Sequence, residues 1–132
     1  MSSFAKFRWY FGITVLALMI PTSAYLKIKA TSFRQGTGTI AGKELKLNIA
    51  STPQARAKGL SGRATLERNQ GMLFLFTAPG VYGFWMKDMK FPIDIIWLND
   101  RKVVDLTPNV PVPVKGQPLE SYVPLKPVNA VL

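Results

Sequence analysis

Six of the chain's ten prolines fall between positions 108 and 127, at Pro108, Pro111, Pro113, Pro118, Pro124 and Pro127. Each lacks a backbone N–H and has a fixed φ, so neither a helix nor a central strand can run through this stretch. Ordered loop or edge strand is what remains, and Val110–Val114 reads as extended. Upstream, the pattern is one of short strands. Thr37–Ala41 and Glu44–Ala50 flank Gly42-Lys43 as a hairpin with a two-residue turn. Leu45, Leu47 and Ile49 alternate with Lys46 and Asn48, giving one dry face and one wet face. Gly71–Phe76 is apolar on both faces, as a central strand is, and Thr77-Ala-Pro-Gly80 is expected to break it. Val81–Met89 and Phe91–Asn99 follow as two strands, with Pro92 at the start of the second. Asn99-Asp100-Arg101 makes a turn before Lys102–Leu106, and Val128–Leu132 opens one more strand. A single short helix is indicated at about 52–59, with Thr52 as N-cap, Pro53 at its first position and Gly59 to end it. Thr65–Arg68 adds a helical turn. The expected fold is mainly β, a compact sandwich or small barrel over residues 37–132.

Ahead of that domain the chain has a different character. Lys6 and Arg8 precede an uncharged run from Trp9 to Leu26, and Lys27 and Lys29 close it. Charged head, apolar middle and the small residues Thr22-Ser23-Ala24 are the parts of a secretory signal. The run is also just long enough for a membrane span, with Trp9, Tyr10 and Tyr25 near its ends. Residues 1–26 are therefore expected to be a hydrophobic helix acting as signal peptide or membrane anchor, with 27–36 as a tether. Either way the domain is exported and lies outside the cytoplasm.

The formal charge of +10 is uneven. Residues 1–34 hold five cations and no acid, where targeting accounts for them. Residues 35–132 hold twelve cations against seven acids, interspersed and without a basic run or stripe. No nucleic-acid partner is expected from that distribution. The sequence has neither cysteine nor histidine. Disulfides, thiolate nucleophiles, imidazole bases and Cys/His metal sites are thereby excluded, and no metal or other cofactor is expected.

Two places remain where chemistry could sit. Along Phe84–Met89, strand alternation puts Trp85, Lys87 and Met89 on one face and Phe84, Met86 and Asp88 on the other. Trp85 with Lys87 makes an apolar floor with a cationic rim, suited to a sugar or an anionic ligand. The plainer reading is a core tryptophan with a lysine reaching to water. Asp94 lies in Ile93-Asp-Ile-Ile-Trp-Leu98, where both faces are apolar, so its carboxylate is expected to be partly buried. It then needs a cation or several donors, and Arg63, Lys87 and Lys90 are the candidates. Asp94 is either a tuned acid or base, or a structural group in a buried ion pair or a strand-end cap.

Four stretches together carry a resemblance. Arg56-Ala-Lys-Gly-Leu-Ser-Gly-Arg63, Gly71-Met-Leu-Phe74, Phe84-Trp-Met-Lys87 and Pro92-Ile-Asp-Ile95 resemble, in order and spacing, the family called domain of unknown function 192. The resemblance spans about Thr37 to Leu132. It implies a compact β domain, often behind a signal or anchor, and it implies no particular activity. The family's recurring polar positions fall on Arg63, Trp85, Lys87 and Asp94. Two departures stand out. Asp88-Met89 replaces the usual Asn-Thr, and the family continues past Val131-Leu132 with a Glu and a closing strand. The resemblance thus implies a domain truncated at its C-terminus, with an unpaired edge.

From these readings the expected function is that of a non-catalytic, extracytoplasmic, membrane-associated binding module. Its ligand would be a glycan, an envelope component or a protein partner, held by Arg63, Trp85, Lys87 and Asp94. The alternative is a small hydrolase or lyase with Asp94 as its catalytic group, assisted by Arg63 or Lys87.

Overall fold

The computed structural model describes residues 33–132. The expected N-terminal helix and the segment 1–32 lie outside the described residues. Eight strands and one helix follow in the order β1 (Arg34–Ile40), β2 (Lys43–Ala50), α1 (Pro53–Lys58), β3 (Gln70–Gly80), β4 (Phe84–Trp85), β5 (Ile93–Asn99), β6 (Lys102–Val110), β7 (Ser121–Tyr122) and β8 (Val128–Val131). Six of the strands form one sheet in the order β1-β2-β3-β8-β5-β6, and β4 pairs with β7 in a small second sheet. The fold is mainly β, as expected.

Turn chemistry explains the hairpins. Ala41 and Gly42 both adopt positive φ (47° and 75°) between β1 and β2, the conformation that matches the twist of the flanking strands. The turn is thus one residue earlier than Gly42-Lys43, and β1 begins at Arg34, inside the stretch read as tether. Asp100 and Arg101 turn β5 into β6 in the same way, at φ 47° and 65°. In α1, the Thr52 Oγ1 accepts from the Ala55 N–H at 3.1 Å, Pro53 occupies the first turn, and Gly59 closes the helix at φ 50°. Both caps are the residues the sequence offers.

Three strands differ most from expectation, and one of them, β6, runs on past Leu106 to Val110. β3 does not stop at Thr77 but runs to Gly80. Its pairing with β2 ends at Phe74, and its register with β8 shifts between Leu75 and Gly80. Pro79 therefore removes no ladder hydrogen bond that the sheet needs. Over Val81–Met89 only Phe84–Trp85 is strand. A turn follows, closed by the Met89 N–H donating to the Met86 carbonyl at 3.2 Å, with Asp88 in the left-handed region at φ 56°. Asp, like Asn, tolerates that conformation better than most residues. The turn takes Met89 off the Trp85 face and buries it.

Pro108 lies within β6, the outermost strand on its side of the sheet, where a missing N–H costs little. The last strand, β8, is internal: it pairs with β3 on one side and β5 on the other. Leu132 continues it, exchanging both backbone hydrogen bonds with Ile96 at 2.7 and 2.9 Å. The outer strands of the sheet are instead β1 and β6. The core gathers Met72, Phe74, Ile95, Trp97, Val110, Val128 and Val131, with Ala55 of α1 and Met86 and Met89 of the turn packed against them.

Candidate functional site

β4 is two residues long, and strand alternation gives them opposite roles. Phe84 points into the core, edge-on to Phe74 at 4.9 Å and to Trp97 at 5.6 Å between ring centroids. Trp85 points out and is 63% exposed. Gly83 permits the close approach of β7, since a Cβ there would lie 2.8 Å from the Ser121 Oγ. Tyr122, opposite Phe84, donates its hydroxyl to the Glu120 carboxylate at 3.0 Å. Burial, and then that carboxylate, push its phenol above the ordinary value.

The turn after β4 is latched from a distance. Ser61 Oγ donates to the Lys87 carbonyl at 3.0 Å, and the Gly62 N–H donates to the Asp88 carbonyl at 3.0 Å. Lys87 folds back so that its Nζ lies 5.9 Å from the Trp85 ring centroid, within cation–π range. Beside this pair is a cleft of about 220 Å³, bounded by α1, the Ser61 turn, Tyr82 and β4. Its lining contains Arg56 and Lys58 and no carboxylate. Arg56 is a fixed part of the wall: its Nη1 donates to the Ser51 and Leu75 carbonyls, both at 2.9 Å, and its guanidinium lies 5.1 Å from the Phe76 centroid. Tyr82 stacks on Phe76 at 3.7 Å and donates to the Ala78 carbonyl. Sequence reasoning missed Arg56, Lys58 and Tyr82 as neighbours of Trp85, because only the fold joins α1 to β4.

The other two expected site residues stand apart from the Trp85–Lys87 pair. Asp94 is exposed, not buried. The β5–β6 register shifts between Ile93 and Ile95, which leaves the Asn109 N–H outside the ladder, and Asp94 Oδ1 accepts it at 2.7 Å. Its apolar neighbours predicted burial, but the irregularity turns Asp94 outward and makes it a cap for the bulge. Arg63 is half-buried and reaches the opposite end of the sheet. Its guanidinium lies 5.6 Å from the Phe33 ring centroid. The Asn48 amide oxygen, in the orientation that satisfies its neighbours, accepts from Arg63 Nη1 and Nη2 at 3.0 and 3.1 Å. Arg63 thus ties the loop after α1 to the first hairpin, and the buried Asp94–Arg63 pair does not form. Each residue should then affect stability alone. Asp94→Asn keeps one acceptor for Asn109 and is expected to cost less than about 1 kcal/mol, whereas Arg63→Met removes two charge-assisted bonds and costs about 1.5–3 kcal/mol. The double variant should be additive, because no contact joins the two sites. Urea denaturation of the three variants checks this, and recovery in the double variant would count against it.

Two larger cavities have a different chemistry. One, of about 580 Å³, lies between β3 and β5 beyond Leu132 and has Glu67, Arg68 and Asp94 among its lining. The other, of about 610 Å³, lies along the sheet over Leu45, Leu47, Leu73, Leu75 and Leu98. Neither joins an exposed aromatic ring to a set of cations as the smaller cleft does. Among the described residues no group of three potential metal ligands occurs, and no helix is long and apolar enough to cross a membrane.

The four stretches that carry the family resemblance meet around the small cleft, through Arg56–Ser61, Phe74, Phe84–Met86 and Ile93. A family model for DUF192, described as uncharacterized ACR, matches residues 36–132. The chain belongs to the DUF192 family. Two solved structures are similar to this DUF192 domain. A proposed transcription regulator from Sinorhizobium meliloti is 24% identical with a TM-score of 0.66, over 76% of this chain and 79% of that one. A protein of unknown function from Novosphingobium aromaticivorans is 25% identical with a TM-score of 0.60, over 77% of this chain and 81% of that one. No curated protein matches this DUF192 chain in sequence.

Proposed function

We propose that this DUF192 chain is a non-catalytic extracytoplasmic binding module, held at or near the membrane through residues 1–26, that presents Trp85 and Lys87 to a glycan of the cell envelope. One observation carries the reading. A tryptophan 63% exposed, on a strand pinned by pairing to β7 and bordered by a lysine and an apolar cleft, has no packing role to explain it. The flat ring offers a face for the C–H surface of a sugar, and the rim supplies donors for its oxygens. Export is supported by Lys6 and Arg8 ahead of the uncharged run Trp9–Leu26. The alternative of Asp94 assisted by Arg63 or Lys87 has less support: Asp94 lines the cavity of about 580 Å³ with Glu67 and Arg68, the lining includes neither Arg63 nor Lys87, and Asp94 Oδ1 accepts the Asn109 N–H.

Expressed in bacteria, the full chain is expected to be degraded by protease added to spheroplasts and to bind isolated envelope polysaccharide. Trp85→Ala should abolish the binding while changing stability by less than about 1 kcal/mol. Protection from external protease, or undiminished binding by Trp85→Ala, would refute the reading.

A further inference from the structure

Resting on the reading above, we propose that the cleft selects an anionic sugar: one pyranose ring lies on Trp85 while its carboxylate or phosphate is met by Lys58 and Lys87. The two lysines come from distant parts of the chain and are linked through the Ser61-Gly62 turn: Lys58 lines the cleft, and Lys87 stands beside Trp85, which lines it too. Lys58 ends α1, and its Nζ lies 3.8 Å from where a Cβ on Gly62 would stand. Gly62 and its neighbour Ser61 hold the Asp88 and Lys87 carbonyls, so the turn bearing the second ammonium is fixed to the same loop. Neither ammonium is paired with a carboxylate among the described residues. The cleft lining contributes no acid, and Asp88, on the latched turn, is exposed. Two cations outside any ion pair among the described residues, beside an exposed aromatic ring, fit a ligand that is flat on one side and negative at one edge. Because lysines act as compact point charges, they do not demand the planar, two-pronged geometry that an arginine would impose on the anion. The size agrees. At about 220 Å³ the cleft is smaller than the roughly 300–1,000 Å³ of sites that enclose a drug-sized ligand, so it takes one sugar residue and leaves the rest of the glycan in solvent.

The test is calorimetric titration of the purified full chain with three probes: oligogalacturonate, a mannose oligosaccharide bearing 6-phosphate, and the neutral oligogalactose obtained by carboxyl reduction of the first. At least one anionic probe is expected to bind about tenfold more tightly than the neutral one, the combined effect of two exposed ion pairs. The preference should fade with added salt. Whichever anionic probe binds more tightly identifies the group recognised. Lys58→Met with Lys87→Met should erase the preference and retain neutral binding. Lys43→Met with Lys102→Met removes as much charge from strand ends elsewhere and should leave the preference intact. Trp85→Ala should lose all three probes. Equal affinity for charged and neutral probes overturns the selection of an anion while the glycan reading stands. Failure of all three to bind, including the case where the chain binds only anionic lipid vesicles, overturns both.

Discussion

Trp97→Ala is expected to lower the stability of the domain by about 3–5 kcal/mol, a large part of what a domain of this size possesses. Trp97 is the largest fully buried side chain among the described residues and exposes none of its surface. Its register partners place it in the middle of the sheet, opposite Val131 of β8 and Asp105 of β6. The ring meets Phe84 edge-on, and its Nε1–H donates to the Thr107 Oγ1 at 2.9 Å. Removing the indole therefore opens a cavity against three elements and leaves a hydroxyl without its donor. Trp97→Phe fills much of the volume and loses the hydrogen bond, so a smaller loss of about 1–2 kcal/mol is expected. Guanidinium denaturation of both variants measures the difference. If Trp97→Ala cost less than Trp97→Phe, the packing account would be wrong.

Trp97 and Trp85 show what could be read from the sequence. Trp97 stands in a run apolar on both faces, Ile93–Leu98, and such a run belongs to a central strand with both faces covered. Trp85 stands in an alternating stretch, where pattern alone favoured a core tryptophan; the ring is instead exposed, with Phe84 taking the inner face and β7 pairing from thirty-six positions downstream. The same limit explains Asp94. Local apolarity argued for burial, yet the determining feature is a register shift set by Pro108 and Asn109 on the neighbouring strand. Turns and caps were readable because their chemistry is local: Thr52, Gly59, Asp100 and Arg101 act within a few residues of themselves. The left-handed residue at 88 was not, because Asp marks such positions far less clearly than Gly. The grouping of Arg56, Lys58 and Tyr82 with Trp85 likewise depends on the long-range latch from Ser61 and Gly62 to the 86–89 turn.

Phe84→Ala should damage fold and site together, which neither tryptophan variant does. The Phe84 ring lies edge-on to three others: Phe74 at 4.9 Å, Trp97 at 5.6 Å and Phe76 at 6.4 Å. Truncating it removes those contacts and their area, for an expected loss of about 3–4 kcal/mol. Because β4 consists only of Phe84 and Trp85, the backbone that aims Trp85 outward is held by the burial of its neighbour and by the short pairing with Ser121 and Tyr122. Two residues of pairing cannot hold a strand alone. With Phe84 truncated, Trp85 keeps its chemistry and loses its fixed direction, and ordering it again on binding costs affinity. On the proposed function, glycan binding should therefore weaken at temperatures where the variant is still folded. Phe84→Leu restores most of the buried volume without the edge-on contacts, and should recover most of the affinity but only part of the stability. Thermal denaturation and titration on the same samples separate the two effects. Unchanged affinity in folded Phe84→Ala would show that Trp85 is positioned by β7 alone, and that the core does not set the site.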